Sequence, residues 1–249
     1  MVQTADDVQA FLAALTHELQ APGRCQATHP VVEDIVAGRL SREQLKRWVA
    51  QQYLFSRTVP RLVCLRYAQV TDPEVQAHLM EVIAEELAGQ QTGTESHVRL
   101  HARTALALGL TLDELEATPP NPETRALIYW QELVIRSRPW FIALGMKYGD
   151  EGQFAAAAAR LAPALQQHYG LSADDVLFYS AHVEADAEHG RFYADIIRKY
   201  VATPALRAEL RECVLTAAEL WWDMWYAGAY RERPRALSGP RSQPQGHGE

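Results

Sequence analysis

An all-α fold is predicted by three features of the 249-residue sequence. Apolar residues recur at three- and four-residue steps along most of its length, proline and capping residues punctuate those stretches, and no stretch alternates convincingly at period two. The expected architecture is a single bundle of about eight helices. The chain is long enough to bury one sizeable core, and it shows no internal repeat or glycine-rich phosphate loop. The folded unit is expected over residues 1–232, with residues 233–249, which have turn and linker composition, forming an irregular tail.

The first helix is expected from Asp6 to Gln20, where Val8, Phe11, Leu12, Leu15 and Leu19 share a face and Pro22-Gly23 ends the run. His29-Pro30 opens a short helical piece that Gly38 closes. Ser41 followed by Gln44 is a capping box for a long helix through Trp48 and Tyr53, which Pro60 kinks or divides before Leu62 to Ala68. Asp72-Pro73-Glu74 starts a helix carrying Val75, Leu79, Val82 and Leu87, and the Gly89 to Gly93 segment breaks it. Thr92 or Thr94 is expected to cap the next helix, which has His97 in its first turns and His101 one turn further on.

Residues 110–120, rich in threonine, proline and acid, read as a connection. Pro122 begins a helix through Leu127, Trp130, Leu133 and Ile135, and Pro139 with Gly145 and Gly149 interrupts it, so the backbone restarts near Glu151. The alanine-rich run from Phe154 is helical and is expected to kink or restart at Pro163. Ser172 and Asp175 cap a central helix expected from about Asp174 to Tyr200, and a last helix from Pro204 to Tyr230 brings Leu215, Leu220, Trp221, Met224 and Trp225 to one side.

The net charge of -7, without a basic patch interleaved with aromatics, argues against nucleic acid or an anionic membrane as a partner. No window approaches the 18 or so uninterrupted apolar residues of a membrane span, and the first residues lack a basic region followed by an apolar run. Cys25, Cys64 and Cys213 are spaced too widely for a zinc finger and are odd in number, so a reducing cytoplasm is the expected setting.

The chemistry concentrates between Tyr179 and Tyr193. Positions four and seven after His182 return to its direction on a helix, so His182, Asp186 and His189 share a face among apolar neighbours. Such an interior is unfavourable unless something satisfies it. A transition metal would; so would pairing of Asp186 with both histidines, or exposure of the stripe to water. Helical bundles that bind two iron or manganese ions need further carboxylate and imidazole donors from other helices. Glu86, His97 and Glu151, each beside a glycine-marked break, are the candidates, with Glu85, His101 and Asp150 as their neighbouring alternatives. Tyr53 and Tyr179 are candidate substrate contacts or core residues.

The order of these segments, from about His29 to Tyr230, resembles the haem-oxygenase-like helical superfamily. That superfamily includes the pyrroloquinoline quinone synthase C proteins, the thiaminase II proteins, and the haem-oxygenase-like diiron oxidases and oxygenases. The stretch from Leu40 to Tyr53 and the segment Asp186-Ala-Glu-His189-Gly resemble the quinone-synthase group. The diiron branch shows a pattern of glutamate, histidine, glutamate and then His-x3-Asp-x2-His. Here Glu86 matches the first glutamate, His97 the first histidine, Glu151 the second glutamate, and His182, Asp186 and His189 the closing motif.

The resemblance implies two iron ions, with manganese as an alternative, and an enzyme that activates O2 to oxidise a small amine, amino acid or fatty-acid-like substrate. It also implies a homodimer. The p-aminobenzoate synthases of the CADD type consume their own tyrosine and lysine, and carry a tyrosine directly before the second glutamate. Asp150 stands there in this chain, and no lysine occurs from Gly152 to Arg198, so self-sacrificing chemistry is not expected. The runner-up is a cofactor-free oxidase of the quinone-synthase type, a group that usually has arginine at the His182 position and no histidine at the His97 position. A non-catalytic helical interaction protein is the reading from another class.

Overall fold

The computed structural model describes residues 5–231, and within that range the side chains of residues 5–6 and 184–188 lie outside the description. The expected tail at 233–249 and the side chain of Asp186 therefore fall outside the described residues. Among the described residues there are twelve α-helices and no strand. They are α1 (Ala5–Leu19), α2 (Pro30–Val36), α3 (Arg42–Ser56), α4 (Val59–Tyr67), α5 (Pro73–Ala88), α6 (His97–Ala107), α7 (Leu112–Ala117), α8 (Pro122–Ser137), α9 (Trp140–Gly145), α10 (Glu151–Tyr169), α11 (Leu177–Tyr200) and α12 (Pro204–Tyr230). Short 3-10 turns at Gln26–Thr28 and Met146–Gly149 precede α2 and α10.

The all-α expectation is met, and the helix count exceeds eight because the chain divides between α3 and α4 and between α8 and α9 and because α7 forms in an expected connection. Pro60 lies in the first turn of α4, where its missing N–H is harmless, so the long helix divides at residues 57–58. The Ser41 and Gln44 capping box opens α3, and Asp72 accepts the backbone N–H groups of Glu74 and Val75 to open α5.

Three expectations are corrected. Residues 110–120 are not an open connection, since Thr111 and Glu114 form a second capping box that starts α7. Helix α10 runs through Pro163 without ending. The Ser172 and Asp175 pair closes a turn just upstream, and the central helix begins at Leu177.

The largest apolar cluster gathers α2, α3, α6, α10 and α12 around Trp48, Tyr179 and Trp225, with Ile35 and Leu45 wholly buried. Burial of each such aliphatic side chain contributes about 1.5–3 kcal/mol, which fixes the helices that carry the site. Helices α10 and α11 pass unusually close at Gly152 and Gly190: a Cβ added at Gly190 would lie 3.3 Å from the Gly152 Cα. Glu151 and His189 each adjoin one of these glycines, so the small crossing is what brings them together. No helix among the described residues is long and apolar enough to cross a membrane.

Candidate metal centre

Five of the six residues matched to a ligand pattern, Glu86, His97, Glu151, His182 and His189, line one cavity of about 70 Å³ between α5, α6, α10 and α11. Phe55, Val59, Phe154, Phe178 and Trp221 supply its apolar walls. A larger cavity of about 600 Å³ lies elsewhere, beside Lys46, Gln51 and Arg231, and shares no residue with this one. Volume alone would favour the larger cavity; the convergence of donors favours the smaller.

One wall is built at the break between α5 and α6. Gly89 ends α5 in the left-handed region at φ 61°, and a Cβ there would sit 2.6 Å from the Thr94 carbonyl carbon, so the chain can reverse there only with glycine. Glu85 organises the reversal from within: its carboxylate accepts the Gln91 N–H at 2.6 Å, the Thr92 N–H at 3.2 Å and the Thr92 hydroxyl at 2.6 Å. Thr92 therefore serves Glu85 rather than capping α6, and the N-cap residue Ser96 makes no side-chain cap bond.

His97 is consequently held from both sides. Its Nε2 donates to Glu85 Oε1 at 3.2 Å, and its Nδ1 lies 3.1 Å from Glu86 Oε2. Of the two adjacent glutamates, Glu86 lines the cavity and Glu85, 2 % exposed, stands behind His97. Burial alone would push the His97 imidazolium down, but the charge of Glu86 and the hydrogen bonds to both glutamates outweigh it and lift the group to about 9. A metal taking Nδ1 would displace that proton, while Glu85 would keep the ring oriented through Nε2.

On the opposite wall Glu151 is the centre. Its Oε1 lies 2.9 Å from Lys147 Nζ, its Oε2 accepts the Tyr193 hydroxyl at 2.7 Å, and the same oxygen is 3.2 Å from His189 Nδ1. Burial opposes its ionisation, yet the charge of Lys147 and the bond to His189 hold the carboxyl well below the usual range. Asp150, the alternative at this position, lines the cavity but is bound by Lys147 at 2.5 Å and by Gln131 at 3.2 Å.

Between the two walls stands His182. Its Nδ1 donates to the Phe178 carbonyl at 2.6 Å, which leaves the lone pair on Nε2, and burial with the nearby charge of His97 pushes its pKa down to about 3. The His182 and His97 rings are 4.5 Å apart between centroids. His101 also lines the cavity; its Nδ1 bonds to Ser56 Oγ at 2.6 Å, its ring stacks on Phe178, and its buried Nε2 meets no hydrogen-bond partner among the described residues.

Among the described side chains no three His, Cys, Asp or Glu form a finished ligand set. What the fold presents instead is two carboxylate–imidazole pairs, Glu86 with His97 and Glu151 with His189, flanking a neutral imidazole. Asp186 lies on α11 between His182 and His189 in sequence, its side chain outside the described residues. Ionised carboxylates, neutral imidazole and an unsatisfied buried ring nitrogen are the donor chemistry that suits iron or manganese, so the residues present fit such an ion.

The two tyrosines are placed differently. Tyr179 is wholly buried, stacked on Trp48, with its hydroxyl 3.5 Å from Gln52 Nε2, and Tyr53 is 3 % exposed; neither lines this cavity. Sequence reading missed Lys147 as a neighbour of the site, and it offered Glu85 as an alternative ligand where the structure has it as the support behind His97. Lys147 lies just upstream of the interval from Gly152 to Arg198 in which no lysine occurs, and four residues before Glu151 is the spacing that puts its side chain beside that carboxylate.

A family described as iron-containing redox enzymes matches residues 46–222 of the chain. The 4-aminobenzoate synthase of Nitrosomonas europaea is 25% identical over 202 residues, 78% of this chain and 81% of that protein. The 4-chloro-allylglycine synthase of Streptantibioticus cattleyicolor is 24% identical over 204 residues, 78% of this chain and 75% of that protein. Among solved structures, a TenA homolog from Pseudomonas syringae superposes with a TM-score of 0.73 at 17% identity, covering 88% of this chain and 92% of that one, which shows the shared haem-oxygenase-like fold. The chain belongs to the family of iron-containing redox enzymes on this fold.

Proposed function

We propose that the chain is an O2-dependent oxidase or oxygenase that holds two iron ions through Glu86, His97, Glu151, His182, Asp186 and His189 and acts on a small amine or amino-acid-like substrate. The observation that carries the reading is the convergence of five of these residues, from four helices and more than a hundred positions of sequence, on one apolar-walled cavity. The relatives' names, one synthase making an aromatic amino acid and one an unsaturated amino acid, support the substrate class. Membership of a redox enzyme family sets aside the non-catalytic scaffold, and its iron weighs against a cofactor-free oxidase.

Bound there, a pair of ferrous ions would supply the electrons that reduce dioxygen and the oxidising power to take hydrogen from, or add oxygen to, a substrate. The chain's own part is positional. Glu85 holds His97 in one ring orientation, the Phe178 carbonyl holds His182 in one tautomer, and Tyr193 orients Glu151 through its hydroxyl. Phe55, Val59, Phe154 and Trp221 exclude water, which strengthens every charge interaction within.

An anaerobic Fe(II) titration of the apoprotein tests the reading. Two equivalents per chain are expected for the natural sequence and fewer than one for His182→Ala, with O2 consumed on air exposure only by the former. Less than one iron bound by the natural sequence would refute it.

A further inference from the structure

Lys147 is a cation placed where a metal-binding site should not want one. Its ammonium is buried, 6 % exposed, and divides itself between Asp150 Oδ2 at 2.5 Å and Glu151 Oε1 at 2.9 Å. It is held there from behind, because Asp150 accepts from Gln131, whose side-chain oxygen accepts from the buried guanidinium of Arg66. Arg66 and Lys147 thus balance Asp150 and Glu151 inside the fold, and a buried carboxylate with no cation beside it would be strongly destabilising. Among the described residues that line the cavity Lys147 is the one lysine or arginine, and on the opposite wall Glu86 pairs with His97 instead.

We propose that Lys147 is a resident counter-ion that holds Glu151 in place in the metal-free protein and then competes with the incoming metal for that carboxylate, weakening the metal position on the Glu151 and His189 side relative to the one on the Glu86 and His97 side. This rests on the reading of Glu151 as a ligand. The competition follows from charge: a divalent ion sharing Glu151 comes within a few ångströms of an ammonium anchored on Asp150, which Gln131 and Arg66 hold in turn. Removing the ammonium takes away the cation on Glu151 Oε1, while Tyr193 and His189 keep their contacts with Oε2, so a metal ion meets one fewer competitor for Oε1.

The test is an anaerobic Mn(II) titration of the full chain, read by loss of the free-ion EPR signal. Manganese binds most weakly in the divalent series, so its dissociation constants stay measurable. Two variants remove the ammonium: Lys147→Met, and Lys147→Met with Asp150→Asn, which removes the ion pair together and leaves the net charge unchanged. Both are expected to tighten the weaker of two sites at least tenfold, while Lys147→Arg stays within about threefold of the natural sequence. Tightening in the single variant alone would show a net-charge effect and overturn the inference, as would unchanged or weaker affinity in both folded variants. If the natural sequence binds no manganese and no iron, the ligand reading fails and the inference falls with it; if it binds two ions and the variants do not differ, the inference alone fails.

Discussion

At the scale of single residues, the buried imidazoles do three different jobs that the sequence alone does not separate. His97 is charged between two glutamates, His182 is neutral with its tautomer set by a carbonyl, and His29, which does not line the cavity, serves the local structure. His29 donates from Nε2 to the Trp222 carbonyl at 3.0 Å and accepts the Val31 N–H on Nδ1 at 3.0 Å, so the neutral ring uses both nitrogens and caps α2. Burial lowers its pKa from 6.5 to about 4, with the carbonyl bond only partly offsetting. Between those values the unfolded chain binds the proton and the folded chain does not, so stability is full above pH 6.5 and falls as pH drops towards 4. The loss from this one residue amounts to about 3 kcal/mol. Urea unfolding of the apoprotein at pH 7.5 and pH 4.5 should show a smaller difference for His29→Asn, which retains the cap acceptor, than for the natural sequence. Equal differences in the two proteins would contradict the assignment.

At the scale of elements, two local devices set the site: the glycine-ended reversal between α5 and α6, and the crossing of α10 over α11. The first was half legible. Gly89 and the adjacent glutamates mark the break in the sequence, but Thr92 reads locally as a helix cap and only the folded chain turns its hydroxyl to Glu85. The second was not legible, because Gly152 and Gly190 each look like ordinary helix interruptions until the two helices are seen to touch. Gly190→Ala tests it. An alanine for glycine in a helix interior normally adds up to about 1 kcal/mol of stability. Here the new methyl group would press on the Gly152 Cα at 3.3 Å, so the expected result is no gain in Tm and a several-fold loss of metal affinity, as Glu151 and His189 are moved apart. A higher Tm with unchanged affinity would show that the crossing has slack.

For the whole molecule, the helical class and the set of converging residues were legible because both rest on patterns that survive in one dimension: a 3.6-residue period, and ligand-capable residues recurring in a family's order. Lys147, Arg66 and Gln131 were not, since a buried charge network is assembled by tertiary contacts among residues that carry no local signature. The molecule therefore combines a readable set of converging carboxylates and imidazoles with a set of counter-charges around Asp150 and Glu151 that the sequence does not announce. The most direct test of the central claim is diffraction from crystals grown anaerobically with Fe(II), recorded on both sides of the iron absorption edge. Two anomalous peaks inside the cavity, one beside Glu86 and His97 and one beside Glu151 and His189 with His182 and Asp186 completing the ligands, is the result predicted; an iron-loaded crystal with no peak there, or with iron only at the surface, would contradict it.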